Sequence, residues 1–125
     1  MLALTVEIAD TDAAREKGLM GVKQLSDQQG MAFVWSGEQA ALFWMKDTLI
    51  PLDIAFWDSK GSVVDMQSMT PCSADPCSTY GSAQPYVGAV EVRGGLLSHA
   101  GLRVGDTVRF SRRAPATGSS ATPSN

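Results

Sequence analysis

Residues 42–57 read Leu42-Phe43-Trp44-Met45-Lys46-Asp47-Thr48-Leu49-Ile50-Pro51-Leu52-Asp53-Ile54-Ala55-Phe56-Trp57. Two of the chain's three tryptophans lie in this run, and charged or hydroxyl side chains interrupt its apolar residues. A polar group buried beside large rings needs a hydrogen-bond partner, and an exposed one needs a reason to lie next to them. The run therefore indicates where a pocket or a buried polar network is expected, although it does not identify a ligand.

The period of two predicts two strands within this run. A strand over residues 41–48 would place Trp44 and Lys46 side by side on one face and Asp47 on the opposite face. A second strand, over residues 52–57, would point Leu52, Ile54 and Phe56 inward and would place Asp53, Ala55 and Trp57 on the other face. The turn Asp58-Ser59-Lys60-Gly61 then predicts an antiparallel hairpin with the strand that follows it.

Patterns in the rest of the chain predict an all-β fold with minor short helices. Further strands are expected over residues 2–9, 31–35, 86–93 and 107–109, and helical turns over residues 13–17 and 96–99. About seven short strands separated by turn residues indicate a β-sandwich or a squashed barrel. We expect a single domain over residues 1–112 and a disordered tail over residues 113–125, which has no apolar periodicity.

The composition is that of an ordinary globular protein. The chain has 125 residues, of which 44% are hydrophobic and 18% charged, so one domain with its own core is expected. A net charge of −3 lacks the broad basic surface of nucleic-acid-binding proteins, and we predict no nucleic-acid partner. No run reaches the roughly 18 apolar residues of a membrane-spanning helix. The oligomeric state stays open.

The two cysteines lie five residues apart, in Pro71-Cys72-Ser73-Ala74-Asp75-Pro76-Cys77. Two prolines and an aspartate favour a tight loop that would bring the sulfurs together, and a disulfide there would indicate an oxidising compartment. Two reduced cysteines in a cytosolic loop are the alternative. With His99 the chain offers only three soft metal ligands, whereas a closed zinc site uses four, so no metal or other cofactor is predicted.

Several short motifs together resemble a known family. They are Arg15-Glu16-Lys17-Gly18-Leu19-Met20, Gly30-Met31-Ala32-Phe33, Phe43-Trp44-Met45-Lys46-Asp47-Thr48, Pro51-Leu52-Asp53-Ile54, Val90-Glu91-Val92 with Gly95, and Gly105-Asp106. Over roughly residues 6–110 they resemble the domain of unknown function 192 family. The resemblance implies a compact β-sandwich that is often exported in bacteria, and no established activity. The family usually has asparagine where this chain has Asp47.

The candidate ligand-binding residues are Trp44, Lys46, Asp53 and Trp57. An indole beside an ammonium group would hold an anionic or sugar-like ligand, although Lys46 could instead form an ion pair. Asp53 could instead accept hydrogen bonds from backbone groups. A structural polar network of Arg15, Asp47 and Glu91 is also predicted, because Glu91 lies on the buried side of its strand and needs a cationic partner, either Arg15 or Lys46.

Three classes of function follow from these residues. The first is a non-catalytic extracytoplasmic module, periplasmic or secreted with its leader removed, that binds a small molecule, glycan or peptide. The second is a carboxylate-dependent hydrolase or lyase that uses Asp47, Asp53 or Glu91 with Lys46. The third is a structural partner domain of the cell envelope whose tryptophan surface another protein covers. The first is preferred because the chain lacks a convincing nucleophile–base pair.

Overall fold

A computed structural model describes residues 2–110 and shows seven strands and two short helices. In chain order the elements are β1 (Thr5–Ala9), α1 (Asp12–Lys17), β2 (Gln29–Gln39), β3 (Phe43–Trp44), β4 (Leu52–Trp57), β5 (Val63–Met69), β6 (Thr79–Tyr80), β7 (Tyr86–Arg93) and α2 (Leu96–His99). The predicted all-β class with minor short helices is confirmed. Neither helix is long or apolar enough to cross a membrane, a statement that holds for residues 2–110.

Five strands form one sheet in the order β1-β2-β7-β4-β5, and β3 pairs with β6 in a separate ribbon. Only β1 and β2 run parallel, and all other neighbours are antiparallel. The predicted hairpin joins β4 to β5, with Gly61 at a φ of 80° in its turn. The sheet has open edges at β1 and β5, so the squashed barrel is wrong and the sandwich arrangement holds.

Both faces of the five-stranded sheet are covered. On the first face, the β3–β6 ribbon and the loops around it bury an aromatic core, in which the ring of Phe43 lies 5.1 Å from that of Phe33 and 5.8 Å from that of Phe56. On the second face, α2 and the chain after it cover a smaller aliphatic core around Val92 and Leu97. Every residue of β4 is consequently buried, on both faces of the strand.

The two predicted strands at residues 41–48 and 107–109 are wrong in extent. Only Phe43 and Trp44 form a regular strand in the first, and in the second Thr107 makes a single bridge to Ser62. The first strand ends because Asp47 has a φ of 57°, a left-handed conformation that interrupts an extended chain. Asparagine and aspartate tolerate this conformation best among residues with a side chain. The predicted tail over residues 113–125 lies outside the described residues.

Cys72 and Cys77 form a disulfide, with their Cα atoms 5.8 Å apart. The loop they close is fastened to the segment after β3. The Asp47 amide donates to the Cys72 carbonyl at 3.0 Å, and the Lys46 ammonium donates to the Asp75 carboxylate at 2.7 Å. The disulfide loop therefore supports a segment of chain that no long strand holds in place.

We expect the double variant Cys72→Ser/Cys77→Ser to lose about 2 kcal/mol of unfolding free energy, because a short closed loop restricts the unfolded chain. Urea denaturation of the oxidised protein and of the variant measures this loss. Intact-mass analysis should show that reduction of the wild-type protein adds the mass of two hydrogen atoms, about 2 Da. Full alkylation of both cysteines in unreduced, denatured protein would contradict the disulfide.

Candidate ligand cavity

A cavity of about 430 Å³ lies between α1, the chain around β3 and the first face of the sheet. Four aromatic residues line it, Phe33, Trp35, Phe43 and Trp44, together with aliphatic residues such as Leu19 and Met20. Charged side chains of α1 line its rim, namely Asp12, Arg15, Glu16 and Lys17. Thr48 and Glu91 add a hydroxyl and a carboxyl group to the lining. This volume is in the range of cavities that bind small molecules.

The sequence pattern of β2 and β7 accounts for the cavity's floor. Side chains at alternate positions of a strand share a face, so Phe33 and Trp35 of β2 point to the same side. In the pairing of β7 with its neighbours, Glu91 lies directly opposite Met31 of β2 and Ile54 of β4. Ile54 belongs to the aromatic core of the first face, and Met31 packs against it. Glu91 is therefore a carboxyl group on the central strand that faces an apolar core.

The Glu91 side chain has no partner that could offset this burial. Only 4% of the residue is exposed, and none of the residues 2–110 donates a hydrogen bond or forms an ion pair with its carboxyl group. Burial disfavours the charged form and raises the pKa of Glu91 to about 8. At neutral pH the carboxyl group is consequently protonated for most of the time, and it can both donate and accept a hydrogen bond.

The predicted pairing of Glu91 with Arg15 or Lys46 is wrong. The Arg15 guanidinium donates to the Val34 carbonyl at 2.8 Å and to Asp12 at 2.9 Å, and it lies 5.2 Å from the centroid of the Trp35 ring. These contacts hold Arg15 at the rim of the cavity. Asp47 lies in an exposed turn, so the structure does not bring Arg15, Asp47 and Glu91 into one network.

Trp44 and Lys46 are neighbours, as the sequence predicts, but only Trp44 lines the cavity. The Lys46 ammonium lies 6.0 Å from the centroid of the Trp44 ring and pairs with Asp75. The hydrogen bond that Lys46 donates to Asp75 raises the pKa of Lys46 above its ordinary value. Trp44 is 47% exposed and forms the outer wall of the cavity. The ion pair directs the Lys46 charge towards the disulfide loop.

Asp53 has a structural role on the second face of the sheet. Its carboxylate accepts hydrogen bonds from the amides of Gly95 and Leu97, at 2.9 and 3.3 Å, and from the Ser68 hydroxyl at 3.2 Å. It thereby satisfies amides at the start of α2, which have no partner within the helix. Because Asp53 lies opposite Val92 whereas Glu91 lies opposite Ile54, the two carboxyl groups are on opposite faces. The prediction that Asp53 lies beside Trp44 is therefore wrong.

Trp57 is also remote from the cavity. It is buried, it lies over Gly88 of the neighbouring strand, and its ring centroid is 5.2 Å from that of Phe110. A Cβ atom at Gly88 would approach the Trp57 ring to 2.2 Å, so only glycine fits beneath it. Trp57, a predicted ligand-binding residue, therefore does not line this cavity, because it lies on the second face of the sheet, which α2 and the chain after it cover.

The cavity residues that the sequence analysis did not identify are Phe33, Trp35, Phe43 and Thr48. The alternation Met31, Phe33, Trp35 on β2 was available as a signal, because it places two rings on one face. Nothing in the sequence pattern shows that β3 folds back over that face, although β3 begins only four residues after β2 ends. No cluster of three or more histidine, cysteine, aspartate or glutamate side chains suited to a metal ion occurs within residues 2–110.

Residues 1–110 match the domain of unknown function 192 family, which is described as "Uncharacterized ACR". Two solved structures are similar to the chain. A protein of unknown function from Novosphingobium aromaticivorans is 33% identical with a TM-score of 0.80, and the match covers 86% of this chain and 75% of that one. A proposed transcription regulator from Sinorhizobium meliloti is 30% identical with a TM-score of 0.77, over 83% and 79% of the two chains. Comparison with curated proteins gave no match.

The raised pKa of Glu91 predicts how stability depends on pH. Between about pH 4.5, where an unfolded glutamate loses its proton, and about pH 8, the folded protein holds one proton more than the unfolded chain. The stability that Glu91 contributes is therefore complete below pH 4.5 and is lost as the pH rises to 8, by at most about 1.4 kcal/mol per pH unit. Glu91→Gln should lack this decline and exceed the wild type in stability above pH 8.

Urea denaturation at a series of pH values measures the difference between wild-type protein and Glu91→Gln. The control is Glu7→Gln, because Glu7 is exposed on β1 and carries the same charge. This control should keep the pH profile of the wild type. If the profiles of wild type and Glu91→Gln run parallel from pH 5 to 8, Glu91 is not a buried protonated acid.

Proposed function

The chain belongs to the domain of unknown function 192 family, and we propose that it is a non-catalytic, extracytoplasmic module that binds a small molecule in the cavity beneath α1. One observation carries this proposal. The carboxyl group of Glu91, on the central strand, forms no hydrogen bond or ion pair with residues 2–110, and it lines a cavity of about 430 Å³. Its oxygens keep access to that cavity, since no fully buried side-chain oxygen of the described residues lacks a partner. A ligand that hydrogen-bonds to this carboxyl group would offset part of the cost of its burial.

The lining supports binding of a compact, largely apolar ligand. Four aromatic rings line the cavity, and Glu91 and Thr48 supply polar groups that would fix a ligand's orientation. The Trp44 ring, half exposed at the mouth, suits contact with the outer part of a ligand. A cavity of this shape favours a small molecule or the end of a peptide over a long glycan chain.

The positions of the candidate catalytic side chains do not support the enzyme hypothesis. Asp53 and Glu91 lie on opposite faces of the sheet, and the Lys46 ammonium is paired with Asp75 outside the cavity. A carboxylate-dependent hydrolase or lyase needs its acid and base on the same side of one substrate. Binding requires only the cavity and one polar anchor, and both are present around Glu91.

The disulfide supports the extracytoplasmic part of the proposal. Disulfides persist in the periplasm and outside the cell, whereas cytosolic thiols are kept reduced. Cys72–Cys77 also closes the loop that fastens the segment carrying Trp44 and Lys46. A protein whose binding wall depends on such a loop would function best in an oxidising compartment.

A second candidate function is a docking domain for another protein. Leu42, Trp44 and Leu49 belong to one short segment and are exposed by 65%, 47% and 54%, more than is usual for large apolar side chains that lie together. The net charge of −3 gives no support to nucleic-acid binding, so the activity named for the Sinorhizobium meliloti protein is not carried over.

A fragment screen by NMR tests the cavity proposal, because the three tryptophan indole groups report on different places. Trp35 and Trp44 line the cavity, whereas Trp57 lies on the other face of the sheet and is an internal control. Fragments should shift the indole signals of the first two and leave that of Trp57 unchanged. Trp44→Ala should weaken binding about tenfold, as expected for loss of a large aromatic contact.

The matched control for that variant is Leu49→Ala, an equally exposed apolar residue that does not line the cavity. It should bind fragments as the wild type does. If no fragment moves the Trp35 or Trp44 signal, the small-molecule proposal is wrong. If both variants instead weaken capture of one protein partner and no fragment binds, the docking function replaces it.

A further inference from the structure

We propose that the ligand group that enters this cavity is a protonated primary amine on a short apolar body, held by the Glu91 carboxylate and the surrounding aromatic rings. This inference rests on the proposed function and specifies its ligand class. It follows from the charges around the cavity, from the chemistry of its walls and from its size.

Among the charged groups that line the cavity, Glu91 is the buried one. On α1, Asp12 is paired with Arg15 at 2.9 Å, and Glu16 and Lys17 are exposed side chains of opposite sign. The strands beside Glu91 contribute Met31 and Ile54, which do not titrate. The chain around β3 contributes uncharged side chains to the lining, namely Ala41, Leu42, Phe43, Trp44 and Thr48. On β7 itself, burial raises the pKa of Tyr86 to about 12.

The aromatic walls favour a cation over a neutral or anionic group. The faces of aromatic rings carry partial negative charge and attract ammonium and guanidinium groups within about 6 Å. This wall already does so at its rim, where the Arg15 guanidinium lies 5.2 Å from the centroid of the Trp35 ring. Farther in, Phe33 and Phe43 meet edge to face with their centroids 5.1 Å apart. An ammonium group among them would form an ion pair with Glu91, which has no ion pair with any cation of residues 2–110.

The size of the cavity and the apolar lining limit the rest of the ligand. Ligand cavities of about 300–1,000 Å³ take small organic molecules, and the present one is at the lower end at about 430 Å³. Leu19 and Phe33 are buried apolar residues of its lining, so an alkyl or phenyl body suits it better than a sugar. A short alkylamine or arylalkylamine fits these limits.

Binding of such an amine should depend on pH in a particular direction. The carboxylate form of Glu91 attracts the ammonium group, so affinity should rise as the pH approaches and passes the pKa of about 8. It should fall again near pH 10, where a primary amine loses its proton. A neutral alcohol of the same shape should show no such rise, because it gains nothing from the charge on Glu91.

Two matched sets of probes test the inference: phenethylamine, phenethyl alcohol and hydrocinnamate, and butylamine, butanol and butyrate. Each is titrated into the intact, oxidised protein at pH 7 and pH 9, with the indole signals of Trp35 and Trp44 as the readout and Trp57 as the internal control. We expect an amine to bind more tightly than its alcohol and carboxylate counterparts, and more tightly at pH 9 than at pH 7. Glu91→Gln should weaken amine binding about tenfold or more, as for loss of a charge-assisted hydrogen bond, and Glu7→Gln should not.

The outcomes separate this inference from the proposed function. If the alcohol or the carboxylate binds as tightly as the amine, with no increase at pH 9, the amine inference is wrong and the small-molecule cavity stands. If no probe moves the Trp35 or Trp44 signal, the amine inference fails, and the broader fragment screen decides the proposed function separately. The pH dependence of amine binding to wild-type protein decides the question even if Glu91→Gln does not fold.

Discussion

The burial of the Glu91 carboxyl group is the constraint on which the rest of this structure depends. A carboxylate taken out of water must find a donor, or else keep its proton, and residues 2–110 provide neither a cation nor a hydrogen bond for it. The position is nevertheless on the central strand, where replacement by an aliphatic side chain would be the simplest solution for stability. A costly buried acid beside a cavity is the arrangement expected when a site, rather than the core, requires it.

The five-stranded sheet separates the cavity on its first face from the hydrogen bonds that hold α2 on its second face. On the second face, Asp53 is just as buried, but it accepts three hydrogen bonds and fixes the start of α2. The two acids thus show opposite solutions to one physical problem. Asp53 is satisfied by its surroundings, whereas Glu91 is left to a proton or to a ligand. The disulfide loop adds support at the cavity's outer wall, because it is bonded to the chain directly after Trp44.

Local chemistry explains which parts of the fold were predictable from the sequence. The hairpin at Gly61, the helical turn at residues 13–17 and the alternation of β4 are encoded within a few residues, and all three appear in the structure. The burial of Glu91 followed from its place in the alternation of β7. Its lack of a partner did not, because the positions of Arg15 and Lys46 depend on Val34, Asp12 and Asp75, which only the tertiary structure brings near them.

The misplaced residues have a common physical cause. Asp53 and Trp57 lie close to Trp44 in the chain, but the alternation of β4 assigns them to the second face, which α2 covers. A left-handed residue at Asp47 then ends the strand that was expected to carry Trp44 and Lys46 as one surface. Sequence proximity was therefore a poor guide to the site, and the strand pairing of β2 with β7 was the better one.

The most direct measurement of the central claim is a carbon-13 NMR titration of the glutamate side-chain carboxyl groups, with the Glu91 signal assigned by its absence in Glu91→Gln. The burial described here predicts that the Glu91 signal titrates near pH 8, well above the ordinary value of about 4.3 for a glutamate in water. A Glu91 midpoint near 4 would contradict the claim that this carboxyl group is held, buried and unpartnered, at the floor of the cavity.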